Sequence, residues 1–76
     1  MNKNKLKEIL AKNKIPEWYY NVDESGETDD RICMVQENNK WKVYYTERGK
    51  QYDVIFLNSE SEACEEILKR FDISGI

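Results

Sequence analysis

The chain has 76 residues, of which 39% are hydrophobic and 36% are charged, so it can build one small core inside a hydrated surface but not two domains. Two cysteines and no histidine exclude a disulfide framework, the usual zinc ligand sets and a Ser-His or Cys-His catalytic pair. The formal net charge of −3 disfavours nucleic acid as a partner and favours basic ones.

The first predicted element is a helix over residues 3–13. Leu6, Ile9 and Leu10 recur at helical spacing among lysines. Pro16 ends this run because it lacks a backbone donor and disfavours helical geometry in the residue before it.

The N-terminal stretch is too poor in apolar residues to act as a signal peptide or a membrane span. We therefore expect a cytoplasmic protein that makes no membrane contact. In such a reducing compartment Cys33 and Cys64 are expected to be small buried hydrophobes and not a redox pair.

Residues 17–30 carry six acids and no base. The aromatic cluster from Trp18 to Tyr20 is expected to tuck under the rim of the core, in a segment too ambiguous to assign to a helix or a strand. Residues 23–30 contain Gly26 among the acids, and this composition predicts a loop.

Three strands are predicted next, over residues 31–36, 40–47 and 51–57. Their connections are short and polar, which is typical of antiparallel hairpins. Asn39 or Gly49 would supply the positive φ that tight hairpin turns require.

The last predicted element is a helix that opens at Ser59. The segment Ser59-Glu60-Ser61-Glu62 is a capping box, in which the Ser59 side chain accepts from the amide of Glu62 and Glu62 reaches back to the amide of Ser59. The apolar stripe then consists of Ala63 or Cys64, Ile67, Leu68 and Phe71. Residues 72–76 are expected to fray.

This α-β-β-β-α order predicts an α+β fold in which a three-stranded antiparallel meander carries both helices packed on one face, as a single domain over residues 1–76. Two helices in so short a chain cover only one face of the sheet. Val35, Tyr44 and Ile55 would then form an apolar protein-binding patch on the open face, unless residues 17–30 fold over it.

No catalytic residue, metal site or cofactor is predicted, because carboxylate pairs such as Glu65-Glu66 are expected to be solvated charges. The double-stranded-RNA-binding domain shares the α-β-β-β-α order. That module offers lysines to RNA at the start of its second helix, where this chain places Glu60 and Glu62, so nucleic-acid binding is disfavoured.

Five short motifs follow one another along nearly the whole chain: Ile15-Pro16-Glu17, Asp30-Arg31-Ile32-Cys33, Trp41-Lys42-Val43-Tyr44-Tyr45, Glu47-Arg48-Gly49 and Glu60-Ser61-Glu62-Ala63-Cys64. In this order they resemble a family of small bacterial immunity proteins of polymorphic toxin systems. The resemblance implies a protein that binds a cognate toxin and blocks it without chemistry of its own. The chain departs from the family at Leu57, where members carry an aromatic residue, and in its more acidic loop.

The partner-binding residues expected on this basis lie in the acidic loop and on the sheet: Asp23, Glu24, Asp29, Asp30, Tyr44 and Arg48. Glu47 is expected to pair with Arg31 or Arg48 as a structural clasp, and the alternative is that Arg48 reaches into an acidic site of the partner. A different function is also open, namely an interaction module that acts as a homodimer through its open sheet face or an edge strand.

Overall fold

The computed structural model describes residues 1–23 and 30–73. The elements in chain order are α1 (Lys3–Lys12), a short 3-10 helix (Glu17–Tyr19), β1 (Tyr20–Asn21), β2 (Ile32–Glu37), β3 (Lys40–Glu47), β4 (Lys50–Leu57) and α2 (Glu60–Arg70). The α+β class is therefore confirmed.

The sheet has four strands in the order β1-β2-β3-β4. β2, β3 and β4 form the predicted antiparallel meander. β1 adds a parallel pairing, with Tyr20 opposite Ile32 and Asn21 opposite Cys33, so the prediction of a three-stranded, wholly antiparallel sheet is wrong. A strand of two residues is too short to show the alternation by which strands are found in a sequence.

Both helices pack on one face of the sheet, as predicted. Met34 and Val43 are directly paired across β2 and β3 and are fully buried. They share one core cluster with the apolar stripes of the helices, which consist of Leu6 and Leu10 in α1 and of Ala63, Cys64, Ile67 and Leu68 in α2. Ile73 also packs against this cluster, so the predicted fraying does not begin at residue 72, and residues 74–76 lie outside the described residues.

The helix starts are capped by side chains. Asn2 accepts from the amide of Lys5 at 2.9 Å, and Ser59 accepts from the amide of Glu62 at 3.1 Å. The capping box is half as predicted, since the Glu62 carboxylate accepts from the Ser59 hydroxyl at 3.1 Å and not from the Ser59 amide. The two helix starts are tied together because the amide of Lys3 donates to Glu60 at 2.8 Å.

Both hairpins turn through two residues of positive φ, as in type I′ turns. Asn38 and Asn39 have φ of 51° and 66° between β2 and β3, and Arg48 and Gly49 have φ of 52° and 80° between β3 and β4. Gly49 therefore reverses the chain as predicted.

β4 contains a bulge. Val43 lies opposite Ile55 but Tyr45 lies opposite Tyr52, so that Asp53 and Val54 share the place across from one residue of β3. Asp53 takes a φ of 53° at this point.

Candidate functional site

The most exposed apolar surface of the sheet lies on its edge strand, β4. Four of its side chains keep a large share of their area in solvent: Tyr52 (45%), Val54 (40%), Ile55 (40%) and Phe56 (55%). We call these four residues the edge surface. Their position on one strand is distinctive, because exposed apolar residues on protein surfaces are commonly isolated from one another.

The bulge divides the edge surface between the two faces of the sheet. Ile55 lies opposite Val43 and Tyr52 opposite Tyr45, so both belong to the helix side. Phe56 lies opposite Lys42, on the other face. The expectation that Ile55 lies on the open face is therefore wrong, because its cross-strand partner is the core residue Val43.

The backbone of β4 also presents hydrogen-bonding groups to the outside. Thr46 in β3 exchanges its backbone bonds with Asp30 and Arg31, on the side away from β4. Residues of an antiparallel pair alternate between hydrogen-bonded and non-bonded positions. It follows that Gln51, opposite Thr46, and Phe56, opposite Lys42, direct their N–H and C=O groups away from the sheet.

A groove of about 490 Å³ runs beneath β4 on the helix side. Its walls combine apolar and charged residues: Ile32, Tyr45, Ile55, Asp53, Glu66 and Arg70. The groove therefore has a mixed apolar and charged lining, which is the combination that protein contact surfaces use.

Arg70 connects the charged and polar groups that line this groove. Its Nε lies 2.9 Å from Oε2 of Glu66, and its Nη2 donates to the backbone carbonyl of Asp53. Its Nη1 is buried and has no hydrogen-bond partner among the described residues. A buried donor of this kind is costly unless an acceptor reaches it.

On the opposite face Lys42 lies along the sheet with its side chain only 13% exposed. Its Nζ lies 3.5 Å from Oε2 of Glu37 and 5.1 Å from the centroid of the Tyr44 ring, with the Phe56 ring at 5.9 Å. Tyr44 is only 7% exposed. It therefore offers little area to a partner in this structure, and its partner-binding role stays a prediction.

The remaining predicted site residues are not brought together. Asp23 faces α1, with its carboxylate 2.7 Å from Nζ of Lys7 and 3.8 Å from Nζ of Lys3. Asp30 precedes β2, Arg48 lies in the turn between β3 and β4, and both are exposed. Glu24 and Asp29 lie outside the described residues, as do all of residues 24–29 in the segment 17–30 that is the alternative cover for the open face.

Glu47 does not form the predicted clasp. All three residues concerned are described, and none of the ion pairs in the described ranges joins Glu47 to Arg31 or Arg48. Arg48 is an exposed turn residue of positive φ, which leaves it accessible to a partner.

A second exposed aromatic group lies near the other edge of the sheet. Trp18 and Tyr19 are 65% and 49% exposed, and their rings meet edge to face with centroids 6.4 Å apart. The prediction that this cluster tucks under the core holds only for Tyr20, which is 8% exposed. The 3-10 helix that carries Trp18 and Tyr19 contains no buried residue.

Sequence reasoning missed the edge surface although a signal was present. Residues 52–57 carry apolar side chains at both odd and even positions, which is more than a strand with one buried face requires. This excess of apolar residues indicates a strand with apolar side chains on both of its faces.

The two thiols are buried on different sides of the sheet. Burial raises the pKa of the Cys33 thiol, and it raises the pKa of the Cys64 thiol to about 11. Both are therefore protonated at neutral pH, which fits their predicted role as small hydrophobes.

Within the described ranges no three His, Cys, Asp or Glu side chains are grouped as metal ligands, and neither helix has the length and apolar content needed to cross a bilayer.

Comparison of the chain with family models, with curated proteins and with solved structures gives no match in any of the three.

Proposed function

We propose that this chain is a non-enzymatic, cytoplasmic binding protein of the immunity type, which neutralises a cognate bacterial toxin by covering its active site. The observation that carries the proposal is the concentration of four exposed apolar side chains on one edge strand. The ordered motifs that resemble immunity proteins support a toxin as the partner.

The edge surface has the chemistry of a protein contact. Aromatic and aliphatic side chains supply apolar area, and residues such as Asp53, Lys50 and Arg70 surround them with charge. The acidic excess of the chain would steer it towards a basic toxin, and added salt would slow this encounter.

Asp23 contributes less to this steering than its charge suggests, because Lys3 and Lys7 offset it. The predicted acidic surface therefore depends mainly on other residues.

Co-expression with the product of the adjacent gene tests the proposal. We expect a stable complex and relief of any toxicity, and both should be weakened by Phe56→Glu because it places a charge in the contact. Tyr19→Glu is the matched control, since Tyr19 is similarly exposed at the other side of the sheet. Failure of the wild type to bind or protect would refute the proposal, and loss of binding in Tyr19→Glu alone would move the contact to the Trp18–Tyr19 pair.

A second candidate function is a homodimer joined through β4. The outward backbone groups of this strand favour it, because unpaired edges readily pair with a second copy. Light scattering on the isolated protein tests this alternative, since a stable dimer that Phe56→Glu dissociates would support the homodimer and a monomer would exclude it.

A further inference from the structure

We infer that the partner docks by adding an extended strand to β4, with an apolar side chain entering the groove beneath Ile55 and a basic residue facing Asp53. This inference rests on the proposed function, and it specifies how the toxin is held.

The backbone supplies the first argument. β4 has eight residues, and its far side has no strand beside it among the described residues. Gln51 and Phe56 direct their hydrogen-bonding groups to that side, so an added strand would find the donors and acceptors of a ladder.

The groove supplies the second argument. In an added strand alternate side chains point to opposite faces, so those on the helix side would lie beside Ile55, which lines the groove. Those on the other face would meet Val54 and Phe56.

Charge decides between a different protein and a second copy. Asp53 is exposed and forms no ion pair in the part of the chain that the structure describes. In an antiparallel pair of β4 strands centred on the bulge, Asp53 and Val54 of one copy would face the same two residues of the other, so the two Asp53 carboxylates would lie close together. Like charges opposite one another oppose that pairing. A toxin strand with Lys or Arg at this place would satisfy Asp53 instead.

A pair of substitutions at Phe56 separates backbone pairing from side-chain contact. Phe56→Ala removes the aromatic ring and keeps the backbone N–H, whereas Phe56→Pro removes both the ring and the N–H. The proline variant should still fold, because proline is tolerated where the N–H of an edge strand faces solvent. Both are measured for binding to the co-expressed product of the adjacent gene. We expect Phe56→Pro to bind about tenfold more weakly than Phe56→Ala, because one more interstrand hydrogen bond is lost.

Amide hydrogen exchange gives a second measurement that needs no substitution. We expect the amides of Gln51 and Phe56 to exchange quickly in the free protein and to be protected in the complex. The amides of Ile55 and Leu57 serve as controls, because they face β3 and are protected in both states.

Asp53 is tested by Asp53→Lys against Asp53→Asn. We expect the charge reversal to weaken binding by about tenfold and the neutral substitution to weaken it less. The difference in affinity between the two variants should become smaller in high salt, because salt screens the charge of Asp53.

A complex in which the amides of Gln51 and Phe56 stay unprotected, or in which Phe56→Pro and Phe56→Ala bind with equal affinity, would overturn strand addition and leave the immunity proposal standing. Failure to form any complex would refute both the immunity proposal and strand addition. A homodimer in which the amides of Gln51 and Phe56 are protected would show that β4 binds a second copy of the chain.

Discussion

The guanidinium of Arg70 joins the last turn of α2 to the bulge of β4, because its Nη2 donates to the carbonyl of Asp53 while its Nε holds Glu66. A bulge leaves one residue of the strand without its partner in the hydrogen-bond ladder. Here the Arg70 side chain donates to the Asp53 carbonyl, which the bulge leaves unpaired. The irregular part of the edge strand is thereby fixed against the helix layer, next to the groove.

Replacing Arg70 tests this connection. We expect Arg70→Met to lower the free energy of unfolding by about 1–3 kcal/mol, because Glu66 and the Asp53 carbonyl lose a partner in a partly buried place. Arg70→Lys is the matched control, since a lysine keeps the positive charge near Glu66 but cannot bond to both Glu66 and the Asp53 carbonyl. Its free energy of unfolding should lie between those of the wild type and Arg70→Met. Urea unfolding measures the effect, and a Met variant as stable as the wild type would contradict it.

Gly49 is expected to matter through its backbone alone. Its φ is 80°, and a Cβ built there would meet no atom within 4 Å. We expect Gly49→Ala to destabilise the protein by about 1–2 kcal/mol through the strain of a left-handed conformation. Arg48→Gly, at the neighbouring position of positive φ, should not destabilise, and thermal unfolding compares the two. Equal losses in both variants would show that side chains, and not φ, stabilise the turn.

Ser59 is expected to contribute as a helix cap. Ser59→Ala removes the acceptor for the Glu62 amide and should reduce stability by about 1 kcal/mol. Ser61→Ala is the control, because Ser61 lies within the helix and its hydroxyl meets only Glu65 and the terminal amine in exposed contacts. A loss at Ser61 as large as that at Ser59 would be inconsistent with capping.

Stability is expected to fall in alkali. Burial raises the pKa of the Cys64 thiol from 9.0 to about 11, with Glu60 and Glu65 acting in the same direction and the N-terminal amine against them. Because the folded state holds this proton more tightly than the unfolded chain, the contribution is complete below pH 9.0 and is lost as the pH rises towards 11.

Urea titrations across this pH range measure the alkaline effect, with Cys64→Ala as the control in which the fall is less steep. A free energy of unfolding that decreases equally in both proteins would assign the effect to other groups, among them Tyr20, whose pKa burial also raises.

The sequence predicts best what repeats along it. The stripe of α2 and its cap at Ser59 are both visible as spacing, and the structure confirms both. The hairpin at Gly49 is predictable for a similar reason, because a short polar segment with a glycine separates two runs of strand-forming residues.

What could not be predicted arises from contacts between distant residues. β1 exists because Tyr20 and Asn21 lie beside Ile32 and Cys33, and no pattern within two residues shows this. The bulge has no glycine to mark it, since Asp53 itself takes the positive φ. That single extra residue places Tyr52 and Ile55 on the same face, which simple alternation from Leu57 does not predict.

The exposure of the predicted site residues follows from the sequence only in part. Arg48 is exposed as expected, whereas Tyr44 is only 7% exposed and the Asp23 carboxylate lies beside two lysines. The direction of long side chains such as these lysines depends on tertiary packing that composition does not show.

The two type I′ turns also bear on the order in which the molecule folds. Each hairpin closes through neighbouring residues, so the three long strands can associate before distant segments meet, and local closure of this kind is fast. The N-terminal helix must instead wait for α2, which is nearly sixty residues away along the chain, because the amide of Lys3 bonds to Glu60. We therefore expect refolding to begin in the meander and to finish when the two helices join.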